Sequence, residues 1–130
     1  HHERLKDWGC YAFVYDRLLD KRKEQYVIWV LPTMNQFAVM ACTGVSGLNY
    51  DIDNYLVLLW MKRLYQDYPY SITDCSGHIS GHFRERLDDV EAMAKRMYAF
   101  CPDIVDQGTN TVEALARELK ETNALFFWWD

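Results

Sequence analysis

Phe100-Cys101-Pro102-Asp103-Ile104-Val105-Asp106-Gln107-Gly108 decides how the chain folds, because two helices and a closing strand are arranged around it. Proline disfavours helical geometry in the residue before it, so a helix arriving from upstream stops at Cys101. That helix begins at Asp88 or Asp89, whose carboxylates can accept from first-turn amides, and Asp88 with Glu91 has capping-box spacing. Val90, Met93, Ala94, Met97 and Cys101 recur at three- and four-residue steps and make one apolar face. Gly108 closes the connector that carries Asp103 and Asp106. Beyond it, Asn110 and Glu113 repeat the capping spacing, and Val112, Leu115, Ala116 and Leu119 form a second apolar stripe. Asn123 is placed to cap this helix at its C-terminus. Ala124-Leu125-Phe126-Phe127-Trp128-Trp129 is too short for another helix and rich in aromatics. It reads as a strand buried on both faces, with Trp128 and Trp129 pointing to opposite sides.

Working back from there, Tyr70 to Phe83 reads as a strand interrupted at Gly77 and Gly81, a hairpin or a bulged strand. Residues 54–67 form a helix capped by Asp51 or Asp53, apolar nearly all round through Met61 and therefore deeply packed. Pro69 ends it. Gly44-Val45-Ser46-Gly47-Leu48-Asn49 lacks any phosphate-cradle pattern and is a flexible connector. Tyr26-Val27-Ile28-Trp29-Val30-Leu31 is a strand ended by Pro32, and Phe37-Ala38-Val39-Met40-Ala41-Cys42 reads as another. Cys10 to Tyr15 is a further strand, whose continuation through Leu19 could be helical; residues 20–24 make a charged turn. The sum is an α+β domain: an antiparallel sheet of four to five strands with about three helices packed mainly on one face.

The 130 residues make one domain, half of them hydrophobic and 15% aromatic, ample for a packed core. His1-His2 reads as the end of a purification tag and is left out of the functional argument. From Arg84 onward ten acidic residues face six basic ones, and the net charge is −5. With no basic stripe to follow a phosphate backbone, a nucleic-acid binder is not expected, and an acidic domain prefers a basic protein partner. No apolar run approaches the roughly 18 residues of a membrane span. Cys10, Cys42, Cys75 and Cys101 are scattered without a C-x-x-C pair and sit in apolar elements, so reduced thiols in the cytoplasm are expected.

The residues Phe100-Cys101-Pro102-Asp103, the Gln107-Gly108 turn, the helix Glu113-Ala114-Leu115-Ala116-Arg117-Glu118-Leu119 and the ending Phe127-Trp128-Trp129-Asp130 resemble a mainly bacterial family, domain of unknown function 4253. Asn49-Tyr50-Asp51, ahead of the helix with Trp60 and Tyr65, is similar to that family's middle section. The resemblance covers about residues 44–130. It implies a compact α/β domain in a bacterial setting and brings no catalytic residues with it.

Four constellations could carry chemistry. Asp103, Asp106 and Asp130 gather if the last strand returns beside the Cys-Pro-Asp turn, and such carboxylates could shift a pKa or bind a hard cation. The alternative is that Asp103 and Asp106, with Gln107 beside them, fix the turn by accepting its backbone amides. Cys75, His78 and His82 have a metal-like spacing, but on a regular strand Cys75 points away from both histidines. Cys101 lies on an apolar helix face with no histidine near in sequence, a core position rather than a nucleophile's. Trp128 or Trp129 becomes a binding platform if its face is uncovered. No cofactor or metal site is expected. The leading reading is a non-catalytic, protein-binding module of immunity or anti-toxin type. The rival is a small metal-assisted hydrolase using Asp103 and Asp130, and a third is one regulatory domain of a longer protein.

Overall fold

The computed structural model describes residues 2–20 and 23–130. Helix α1 (His2–Asp7) leads into the hairpin of β1 (Tyr11–Asp20) and β2 (Lys23–Leu31). Then come α2 (Phe37–Thr43), a 3₁₀ turn (Leu48–Tyr50) and α3 (Asn54–Asp67). A second hairpin pairs β3 (Tyr70–Cys75) with β4 (Ile79–Phe83), and α4 (Val90–Phe100), a π-helical turn (Ile104–Thr109), α5 (Val112–Thr122) and β5 (Ala124–Phe127) follow. The strands form one five-stranded sheet in the order β2-β1-β3-β4-β5.

The α+β class holds, but the sheet is mixed rather than purely antiparallel. β3 runs parallel to β1, in register at Val14 and Asp74. The cause is the segment expected as a third strand: Phe37 to Cys42 is helical. Val39 and Met40 are both buried, while Ala41 and Cys42 are both exposed, a pattern no alternating strand can give. Asn35 Oδ1 accepts the Phe37 N–H at 3.1 Å, and Gly44 ends the helix in the left-handed region at φ 72°. With α2 and α3 in the connection, the chain crosses over and returns along β1's direction. The continuation of β1 through Leu19 is strand, not helix, and the tip of the expected charged turn, residues 21–22, lies outside the described residues.

The helix ends follow the sequence closely. Asp53 Oδ1 accepts the Leu56 N–H at 2.8 Å and Asp89 Oδ1 the Ala92 N–H at 2.8 Å. Thr111, rather than Asn110, caps α5 through the Ala114 N–H at 3.0 Å. Asn123 is the left-handed C-cap at φ 54°. Tyr70, Ile72, Cys75, Ile79, Leu125 and Phe127 point from the sheet into a core completed by Met40, Met61, Leu64, Met97 and Leu119. On the opposite face Ser80 pairs with Phe126 and His82 with Ala124; His82 and Phe126 are exposed.

Candidate functional site

Pro102 acts as expected. α4 ends at Phe100, and Cys101 leaves helical geometry with φ −134° and ψ 86°, its N–H donating to Met97 O at 2.8 Å. The following turn winds wider than an α-helix. Val105 N and Asp106 N both donate to Pro102 O at 2.9 Å, and Asn110 N reaches back five residues to Val105 O at 2.8 Å. Two of the turn amides that Asp103 and Asp106 were expected to bind, those of Val105 and Asp106, are therefore taken by a main-chain carbonyl.

This frees the Asp103 carboxylate to act over a longer range. It is almost wholly buried, 2% exposed, and accepts from three separate segments. The Tyr50 hydroxyl donates to Oδ1 at 2.6 Å, Gln107 Nε2 to Oδ1 at 3.2 Å and the Asp130 N–H to Oδ2 at 3.0 Å. Burial by itself would raise the carboxyl pKa, but these three donors outweigh it and hold the group below its ordinary value. The Tyr50 phenol moves the other way, pushed up to about 12 chiefly by its bond to the carboxylate. Asn49 Nδ2 adds a bond to the Asp130 main-chain oxygen, so the 3₁₀ turn grips both Asp103 and the C-terminal segment.

Three converging carboxyl side chains were one expectation for this place. Asp130 contributes its N–H and carbonyl to the cluster, and Asp106 is exposed and accepts from Tyr98 at 3.2 Å. Among the described residues no three His, Cys, Asp or Glu side chains are placed to hold a metal ion. The Cys75–His78–His82 spacing does not converge either. Cys75 is buried with Thr43 Oγ1 at 3.0 Å, while His78 sits 3.6 Å from Asp74 and tilts against Phe126. Cys101 is buried, its thiol donating to Trp128 O at 2.9 Å and pushed up to about 12 by burial, which makes it a poor nucleophile.

The closing strand is shorter than the aromatic run. It ends at Phe127, so Trp128 and Trp129 lie beyond it, both half-buried, and do not alternate across a sheet. The strand is open on one side, where Phe126 is 41% exposed. Trp129 packs edge-on to Phe100 at 5.3 Å and covers Gly47 so closely that a Cβ there would lie 2.6 Å from its ring. Trp129 is thus held by Phe100, Phe127 and Gly47, and Trp128 is half-buried against the core.

Tyr50 and Asn49 are the site residues that sequence reasoning missed. Asn49 ends the segment read as a flexible connector and Tyr50 follows it directly, yet Gly47 and Ile52 bridge there as an isolated β-pair with N–H···O bonds of 2.8 and 3.1 Å. The only sequence signal was the Asn49-Tyr50-Asp51 triplet itself.

No curated protein and no solved structure shows a significant match to the chain. A family model described as Domain of unknown function (DUF4253) matches residues 27–130, which takes in the 3₁₀ turn, the Cys-Pro-Asp turn and the C-terminal segment, and the chain belongs to that family.

Proposed function

We propose that the chain is a non-catalytic protein-binding domain whose docking face is the 3₁₀ turn together with the first two turns of α3. The observation that carries this is the exposure of large apolar side chains on a helix read from sequence as deeply packed. α3 buries only Val57, Met61 and Leu64, while Tyr55, Leu56 and Leu59 are 63%, 45% and 44% exposed, and Leu48 just ahead is 74% exposed. Tyr55 and Leu59 are i,i+4 neighbours and Leu56 and Leu59 are i,i+3, so the three form one face. Apolar side chains grouped this way in water are the usual mark of an interaction surface.

The Asp103 cluster supports the reading by fixing the 3₁₀ turn to the C-terminal segment through Tyr50 and Asn49. Asp51 and Asp53, both exposed, rim the apolar residues, and the net charge of −5 has the same sign. The occupant that fits is a protein surface with aliphatic groups framed by Lys or Arg, as an immunity or anti-toxin role against a basic toxin would need. Four unpaired thiols suit work in a reducing cytoplasm.

The test is to identify a co-purifying protein, then reconstitute the pair from purified components. Leu56→Glu and Leu59→Glu should each weaken binding by about tenfold or more, the scale of a lost interface anchor. Asp51→Lys should lower the association rate and its salt dependence. Unchanged affinity in both Glu variants overturns the reading. Self-association abolished by the same variants makes a second copy the partner. Divalent-ion-dependent hydrolysis lost in Asp103→Asn would restore the hydrolase alternative.

A further inference from the structure

A cleft of about 280 Å³ lies between the starts of β1 and β3 and the N-terminal end of α2, away from the Asp103 cluster and the docking face. β1 and β3 are in register at Val14 and Asp74, just beyond the cleft. The Gln36 side chain bonds the β3 backbone there, its Oε1 accepting the Ile72 N–H at 2.9 Å and its Nε2 donating to Tyr70 O at 3.1 Å. Beside it the Tyr11 hydroxyl donates to Ile72 O at 2.5 Å. These bonds tie the floor of the cleft to the sheet.

The charge of the lining sets this cleft apart. In a chain with 19 acidic and 14 basic residues, it is lined by Arg84 and by no aspartate or glutamate. Arg84 lies over the Tyr65 ring at 5.7 Å, and its guanidinium makes no hydrogen bond or ion pair to a described residue. Its charge reaches the floor: burial pushes the Tyr11 phenol up to about 12, against a downward pull from the Ile72 bond and from Arg84. Lys62, outside the lining itself, places its Nζ 5.8 Å over the ring of Phe37, which lines the cleft. Ser71 and Asn35, whose side chains can donate, also line the cleft, beside Met34 and Phe37.

We propose that this cleft binds a small organic anion, a carboxylate or phosphate group on a flat apolar body. The anionic oxygens meet the Arg84 fork and the Ser71 and Asn35 donors, because planar guanidinium matches both groups bidentately. The body lies against Met34 and Phe37. The volume is just under the roughly 300–1,000 Å³ of ordinary ligand sites, which limits the ligand to about one substituted ring.

Amide NMR titration of the full chain with benzoate, phenyl phosphate and uncharged benzyl alcohol tests this. One or both anions should give saturable shifts at Asn35, Phe37, Ile72 and Thr73, and benzyl alcohol none; the anion that saturates at the lower concentration identifies the charged group. Arg84→Gln should weaken binding about tenfold to a hundredfold, the scale of a charge-assisted bond, with the rest of the spectrum unchanged. Should that variant disturb the fold, Lys62→Gln serves in its place, with a loss of a few-fold. Absence of saturable shifts with either anion at millimolar concentration, equal shifts with benzyl alcohol, or wild-type affinity in the variants overturns the proposal.

Discussion

The Tyr50 hydroxyl donates to Asp103 Oδ1 at 2.6 Å across 53 residues of sequence. That bond makes a buried carboxylate the meeting point of the 3₁₀ turn, the π-helical turn and the C-terminal segment. A buried carboxylate with three donors is held in its ionised form, and removing any partner leaves part of its charge uncompensated.

The pair should show at both ends of the pH scale. Asp103 has an ordinary value of 3.8 and a lower one in the fold, so its contribution is whole above 3.8 and is lost as pH falls through the folded value. Tyr50 is the opposite case, with an ordinary value of 10.0 and a folded one of about 12. Its contribution is whole below 10.0 and is lost as pH rises toward about 12. Because Tyr11 also titrates near about 12, the Tyr50 share is the difference between wild type and Tyr50→Phe in alkaline urea melts. The two curves should converge as pH rises through this window; a gap independent of pH would contradict the assignment.

Gly47→Ala should lower stability by about 1–3 kcal/mol, the usual cost of overpacking. An added Cβ would lie 2.6 Å from Trp129 Cδ1 and 2.7 Å from Cγ, and an indole wedged against Phe100 and Phe127 cannot swing away freely. Trp129→Ala alone should cost about 3 kcal/mol, near the low end for truncating a large aromatic. In the double variant the Gly47→Ala penalty should vanish. Thermal melts of all three decide it, and strict additivity would mean the two residues do not touch.

Thiol labelling should divide the cysteines two and two. Cys42 is exposed and Cys10 half-buried, whereas Cys75 and Cys101 are buried, with pKa values pushed up to about 11 and about 12 chiefly by burial. In the native protein a thiol reagent near neutral pH should modify Cys42 first, then Cys10. Cys75 and Cys101 should react only on unfolding, when four thiols are counted without reductant. Rapid native modification of Cys101 would contradict its placement in the core.

The sequence was most informative where one residue type has one strong physical consequence. Pro102 stopped a helix, Asp53 and Asp89 capped two, Asn123 closed a third, and Gly77 opened a hairpin. It was least informative where short apolar runs suit two periods. Residues 37–42 carry a β-like composition, yet burial of the adjacent pair Val39 and Met40 and the stop at Gly44 make them a helix, and this turned the sheet from antiparallel to mixed. At the site, Asp103 stood out in the sequence as a candidate functional or turn carboxylate, but the partners it has were not legible. Tyr50 and the Asp130 N–H are brought there by tertiary packing, which no local spacing encodes. The exposed side of α3 was hidden for a similar reason: an all-round apolar helix signals burial only if enough neighbours exist to cover it.

The central claim is that Asp103 serves structure rather than chemistry, and urea melts of wild type and Asp103→Asn at pH 7 test it most directly. The amide places an N–H₂ among three donors, so the variant should lose about 1.5–3 kcal/mol. Asp106→Asn, at an exposed position, should stay within about 0.5 kcal/mol of wild type. Neither calcium nor magnesium should stabilise any of the three. A gain in stability in Asp103→Asn, or divalent-ion stabilisation of wild type that this variant loses, would contradict the account and make the carboxylate a functional site.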